Sequence, residues 1–349
     1  MIQSSGFDAD QNPMDRRYGI VLGQGRCGTN WITDCLDASP STFCRNEPDV
    51  CIPSTFDRLG NNWRIGANGA ELAQHWDGVV EQAATLMGER DHRLVNPKAF
   101  VHPTAQRLGL AQLSGRPRLR KMASLLVWPW ADGEWKMPSW IGNLDDPNIF
   151  ALFKLVQGYN WATWVLDHRP DVPVLQVVRH PGGRHDSFLR RYISMADPET
   201  TRRAKIEQLR TLAPETSLAE RMGPVDELTL AEAETWFGVY QMEVFEQRAQ
   251  GSPSYLRITY EDMVKNPGRT LEQIFDHFEL PLTNDVRSRI EDQRKSSVFG
   301  PVLATSAEQT DGWRDRLDPE TSEQILNILT TSPIAAWRDG DSVEQQRAA

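Results

Sequence analysis

The sequence predicts an α/β fold in which a central parallel sheet is flanked by helices. Three observations carry this expectation. Short apolar, β-branched runs at residues 18–22, 149–156, 172–178 and 255–259 have the length of buried strands. The segments between several of them carry apolar residues at helical three–four spacing, as in Leu230, Ala233, Phe237, Tyr240 and Val244. Strands separated by helices imply crossover connections and hence parallel pairing. The chain of 349 residues is 39% apolar and 25% charged, the composition of a globular protein with a large core. Residues 1–15 read as a disordered leader and 16–340 as a single domain.

In chain order, residues 18–22 form the first strand, ending at Gly23, with a glycine turn through Gly25, Arg26 and Gly28. From Thr29 a helix follows, with Trp31, Ile32, Cys35 and Leu36 on one face. A short strand is expected at 42–45, ending at Asn46, Glu47 and Pro48, and a polar loop at 53–68. A helix is expected over 70–87, with Leu72, Trp76, Val79, Val80 and Ala83 inward, and an irregular basic stretch over 90–118. Trp128, Trp130, Trp135 and Trp140 crowd together ahead of the strand carrying Lys154. A helix over 161–168 and the strand ending at Arg179 come next, then helices from about Gly183 and over 200–212 and 228–248. Pro267 opens a last core helix that Leu280 and Pro281 end.

Composition narrows the function. A net charge of −10 disfavours nucleic acid as a partner. No apolar run is long enough for a membrane span, and the polar start lacks the features of a signal peptide, so the expected location is cytoplasmic. The four cysteines Cys27, Cys35, Cys44 and Cys51 form no C-x-x-C, so neither zinc nor a disulfide framework is expected, and Cys35 reads as core.

Strand, glycine turn and helix start together aim free backbone N–H groups at an anion. The G-x-x-x-x-G-K-[ST] loop of ATP and GTP sites matches Gly23 and Gly28, but Thr29 and Asn30 stand where lysine and the hydroxyl belong. A dinucleotide G-x-G-x-x-G matches Gly23, Gly25 and Gly28, with no clear second strand ending in an acid for the ribose. A plain strand-to-helix turn is the third reading. In an open α/β sheet ligands sit at the carboxyl ends of strands, where Arg179 also falls, with Ser187 on the following helix. An arginine and a hydroxyl there are suited to a second phosphate.

Read together, these segments resemble the sulfotransferases that use 3′-phosphoadenosine-5′-phosphosulfate (PAPS). Gln24-Gly-Arg-Cys-Gly-Thr-Asn-Trp31 resembles their 5′-phosphosulfate loop, [RK]-S-G-T-T followed by Trp or Leu. The segment from Val177 through Arg179, His180 and Pro181 to Ser187 resembles their 3′-phosphate motif. The stretches beginning at Tyr260 and at Gly312 resemble two further signatures. The resemblance spans about residues 18–330 and implies a three-layer P-loop NTPase-like fold. Cys27 replaces the usual serine and Asn30 the second threonine.

It also implies roles. Gly25, Arg26, Cys27, Gly28, Thr29, Asn30 and Trp31 would hold the 5′ end of the cofactor, with Trp31 able to stack on the adenine or simply to pack the helix. Arg179 and Ser187 would grip the 3′-phosphate. The cofactor would be PAPS, leaving adenosine 3′,5′-bisphosphate, with no metal. Arg26 would stabilise charge on the departing phosphate. Glu47 is the expected general base, with His102 in reserve. Lys154 would neutralise the sulfonyl oxygens or serve as a plain ion-pair partner, while His180 and His185 read as structural. The acceptor, a small-molecule hydroxyl or amine, falls to residues 53–148 and 197–226, where the four tryptophans either line a pocket or cap the core. Two rival readings stay open: a magnesium-dependent phosphotransferase using ATP on the same scaffold, and a non-catalytic nucleotide-binding module.

Overall fold

Along the first strand, β1 (Tyr18–Gly23), side chains alternate between two cores, as a pleated strand buried on both faces requires. Ile20 and Leu22 enter one apolar cluster and Val21 the other. The computed structural model describes residues 17–87, 97–107, 135–136, 139–156, 158–192, 197–212, 217–296 and 310–333. The leader at 1–15, the stretch 119–127 and the tryptophans Trp128 and Trp130 lie outside them.

Five strands build one wholly parallel sheet: β1, β2 (Thr42–Asn46), β3 (Phe150–Val156), β4 (Val174–Val178) and β5 (Tyr255–Thr259), in the order β2-β3-β1-β4-β5. On one face lie α1 (Thr29–Asp37), α7 (Pro267–His277) and α8 (Asn284–Ser296), meeting Val21, Leu152, Leu175 and Ile258. On the other lie α2 (Gly69–Thr85), α3 (Tyr159–His168) and part of α6 (Leu230–Ala249), meeting Ile20, Leu22, Phe153 and Val174. The expected sheet flanked by helices is therefore present as a three-layer sandwich.

α4 (Pro181–Tyr192), α5 (Pro198–Leu212) and α9 (Pro319–Thr330) add a further cluster around the far side of α6. This corrects the reading of residues 228–248 as a helix with one core face. α6 is covered on both sides, and even Glu234, Gln241 and Glu243 are buried on it. A capping box of Thr229 and Glu232 fixes its start. Residues 53–68, expected as loop, hold two short helical turns, Pro53–Phe56 and Asp57–Leu59. The helix expected over 70–87 ends at Thr85, because Leu86–Met87 pairs with Trp135–Lys136 as a small antiparallel ladder.

Candidate active site

The glycine turn sits at the carboxyl edge of the sheet, and close packing dictates its composition. A Cβ on Gly23 would lie 2.7 Å from Thr29 Cγ2 and 3.0 Å from the Val177 carbonyl oxygen. Gly28 has φ of 91°, and a Cβ there would meet the Tyr260 ring at 2.7 Å, so only glycine fits. Arg26 also has positive φ, 73°. No side chain caps α1, and the Trp31 N–H of its first turn donates back to the Gly28 carbonyl at 3.0 Å. Above them Arg26 Nε donates to Ser187 Oγ at 2.9 Å, and Arg179 Nη1 donates to the Arg26 carbonyl at 3.0 Å. The Arg179 guanidinium lies 4.1 Å from the centre of the Tyr260 ring. Gln24 ties the turn to α6 by donating from Nε2 to Gln241 Oε1 at 3.0 Å. The two sequence-predicted phosphate elements are therefore adjacent in the fold.

A second centre lies on the other flank of the turn, at the ends of β2 and β3. Lys154, buried on β3, donates from Nζ to Asn46 Oδ1 at 2.7 Å, to Glu47 Oε1 at 2.8 Å and to Asn30 Oδ1. Glu47 is one-third exposed. It sits in the left-handed region with φ of 50°, where a non-glycine residue is strained. Its backbone is pinned there, its N–H donating to the Lys154 carbonyl at 2.9 Å. Among the described non-glycine residues only Arg26, Glu47, Asn68 and Glu279 have positive φ, and two of these four are the expected charge stabiliser and base. One ammonium thus joins the expected base to Asn30 of the turn.

The Sulfotransferase family profile matches residues 20–285, which contain both centres. The chain belongs to this family. It is a transferase with a P-loop-like sulfotransferase fold, and sulfuryl transfer is its general activity. No curated protein sequence matches the chain. Among solved structures it is similar to a sulfotransferase from Alicyclobacillus acidocaldarius, with 13% identity over 93% of this chain and 99% of that one and a TM-score of 0.37. The sulfotransferase domain from the curacin biosynthetic pathway shares 15% identity over 90% and 98%, with a TM-score of 0.40. Retinol dehydratase, solved with androsterone and the inactive cofactor PAP, shares 12% identity over 91% and 82%, with a TM-score of 0.37.

The remaining residues singled out in this sulfotransferase fall in several settings. Trp31 is buried within the α1 cluster, the setting of its helix-packing alternative. The Cys27 N–H donates to the Gln24 carbonyl at 3.2 Å, and burial pushes the thiol up to about 11, so it stays neutral. Cys27, Cys35 and Cys44 are buried thiols that form no disulfide among the described residues. His102 is exposed in a segment whose Phe100 packs on Phe43 near the start of β2, and no described contact joins it to Lys154 or Glu47. His180 stacks on Trp313, and His185 pairs with buried Glu234 at 2.8 Å. Trp140 is exposed. A cleft of about 510 Å³ at the opposite edge of the sheet, lined by Arg17, Tyr18, Pro173 and His277, contains none of the site residues. Among the described residues no group of three or more His, Cys, Asp or Glu side chains is placed to hold a metal ion, and no helix is long and apolar enough to cross a membrane.

Sequence reasoning missed two carboxyls in the field of Lys154. Asp34 lies one turn after Asn30 on α1, and Asp49 follows Glu47 in the short helix Pro48–Cys51. Burial first, and then the nearby charge of Asp37, push Asp34 up to about 7 against the pull of Lys154. Burial and the charge of Glu47 do the same to Asp49, also to about 7. Asp34 falls at helical spacing from Asn30, a signal visible in the sequence once Asn30 is assigned to the site. Nothing local marks Asp49.

Proposed function

We propose that the chain moves a sulfuryl group from PAPS to a hydroxyl or amine of a small acceptor by in-line transfer, with Glu47 as general base. The observation that carries this reading is that one glycine turn is flanked by an arginine–serine centre on one side and a lysine-held carboxylate on the other. The residues present fit a nucleotide with phosphates at both the 5′ and 3′ positions. An uncapped helix start and the strained turn suit one phosphate, and Arg179 with Ser187 suits the other. When bound, the cofactor supplies the sulfuryl group and a phosphate leaving group.

The first-turn N–H groups of Gly28, Thr29 and Asn30, with Gly25 and the Arg26 guanidinium, bind the 5′ end and stabilise the charge that develops on it. Cys27 and Trp31 pack beneath the turn and hold its shape. Glu47 would accept the proton of the acceptor hydroxyl or amine at its carboxylate. Lys154 holds Glu47 and Asn30 in register, so base and leaving-group site move as one rigid unit. A phosphotransferase loop would place lysine after Gly28, where this chain has Thr29.

Calorimetry with adenosine 3′,5′-bisphosphate against ADP tests the donor assignment. Bisphosphate should bind without magnesium and ADP weakly. Magnesium-dependent ADP binding with no bisphosphate binding would establish the phosphotransferase instead. Incubation with PAPS and mixed hydroxyl and amine acceptors should give sulfated product in the wild type and none in Glu47→Ala with bisphosphate affinity intact. Bisphosphate binding without any product would leave a binding module.

A further inference from the structure

Two cations outside this reaction converge on one stretch of α6. The Lys205 ammonium, on α5, lies 3.8 Å from the centre of the Phe237 ring and donates to Gln208 Oε1 at 3.1 Å. Arg184, on α4, donates from Nη2 to the Glu234 carbonyl at 3.0 Å, and its Nε is buried with no hydrogen-bond partner among the described residues. Neither forms an ion pair with a described carboxylate. The nearest acid, Glu234, is bonded to His185 at 2.8 Å. Burial and then the Arg184 charge push the Lys205 amine down to about 8, which places the two cations within each other's field.

Their position points at the acceptor. Phe237 precedes Gly238, against which the Gln24 side chain of the glycine turn rests, and it pairs with Trp63 at 6.3 Å between centroids. Trp63 belongs to a loop that Asn160, at the start of α3 just past β3, ties down through Asn61, Gly66 and Ala67. The cation pair therefore sits on the same stretch of α6 that the glycine turn and this loop also touch. Both cations lie in the field of one buried carboxylate, Glu234, which is also bonded to His185, so two half-buried cations face a single negative charge and an added anion would complete their neutralisation.

We propose that Arg184 and Lys205 form an anion-recognition site that takes a carboxylate, sulfate or phosphate group of the acceptor, with Phe237 and Trp63 as its apolar wall. The assignment to the acceptor rests on the sulfotransferase reading of the glycine turn. The test uses the full chain saturated with adenosine 3′,5′-bisphosphate and treated with pyridoxal 5′-phosphate or neutral pyridoxal. The aldehyde condenses with the lysine amine, releasing water, and borohydride reduces the imine to a stable amine that peptide mapping locates. Lys205 should be labelled at least ten-fold faster by the phosphorylated probe. Arg184→Met should erase that preference, Arg184→Lys should restore it, and thermal melting should show both variants folded. Equal rates for the two probes, no labelling at Lys205, or a preference unchanged in Arg184→Met would overturn the site. Labelling seen in the free protein but blocked by bisphosphate would assign the cations to the donor nucleotide and overturn the acceptor role. Failure of the underlying reading shows separately, as absence of bisphosphate binding in the calorimeter.

Discussion

The two flanks of the glycine turn are built on opposite electrostatic plans. On the donor flank two guanidinium groups, Arg26 and Arg179, meet at a hydroxyl and a backbone carbonyl. On the acceptor flank one ammonium, Lys154, meets a carboxylate and two amide oxygens. The first arrangement gathers two like charges with the Glu261 carboxyl in the field of Arg179, whereas the second sets one cation against one carboxylate. Binding energy should therefore reside on the donor flank and proton chemistry on the acceptor flank. Substitutions on either side can break that division.

The largest effect is expected at Glu47. Glu47→Gln keeps the shape and removes the base, so turnover should fall about 10²–10⁴-fold, with bisphosphate affinity unchanged in calorimetry. Retained turnover would move proton transfer elsewhere. Next comes Lys154→Met, which leaves Glu47 and Asn46 facing a buried methyl group. Breaking a buried ion pair costs about 3–5 kcal/mol, and with Glu47 one-third exposed about 2–3 kcal/mol is expected in urea unfolding. The double variant Lys154→Met with Glu47→Gln should recover part of that loss, because no orphan charge remains. Full additivity would show the pair to be uncoupled.

On the donor flank, Arg179→Ala should weaken bisphosphate binding by about 1.5–3 kcal/mol, the scale of hydrogen bonds to charged groups. Adenosine 5′-phosphosulfate, which lacks the 3′-phosphate, should be almost unaffected. Equal losses for both ligands would make Arg179 a support of the turn through its bond to the Arg26 carbonyl.

The same division explains how much was legible in the sequence. The sheet, the turn and Arg179 with Ser187 are encoded locally, by strand ends and the helices that follow them, and all appear where the pattern placed them. Lys154 was visible as a lysine on a buried strand, but its link to Asn30 and Glu47 depends on β3 lying between β1 and β2, a sheet order no local pattern encodes. His102 shows the converse. The family resemblance alone made it a reserve base, and Phe100 and Val101 anchor its segment in the cluster with Phe43 and Ile149, at the starting ends of β2 and β3. Arg184 and Lys205 were unreadable because α6, which brings them together, looked one-sided in sequence and is buried on both sides.

The smallest expected effect probes the acceptor flank alone. Asp49 carries a buried Oδ1 with no hydrogen-bond partner among the described residues, and its carboxyl is pushed from the ordinary 3.8 up to about 7. The folded state thus keeps a proton that the unfolded chain releases, so stability is greatest below the unfolded value and falls as pH rises through the folded one. Asp49→Asn removes this dependence. Relative to wild type, its melting temperature should be unchanged or lower at pH 4 and higher at pH 8. With the side chain half-buried, a gain of about 1 kcal/mol is expected, or about 2–4 °C for a domain of this size. A shift of the same sign and size at both pH values would mean that Asp49 is charged throughout, with Lys154 rather than burial controlling its ionisation. The acceptor flank would then carry a second standing carboxylate beside Glu47, and its balance against one ammonium would be net negative.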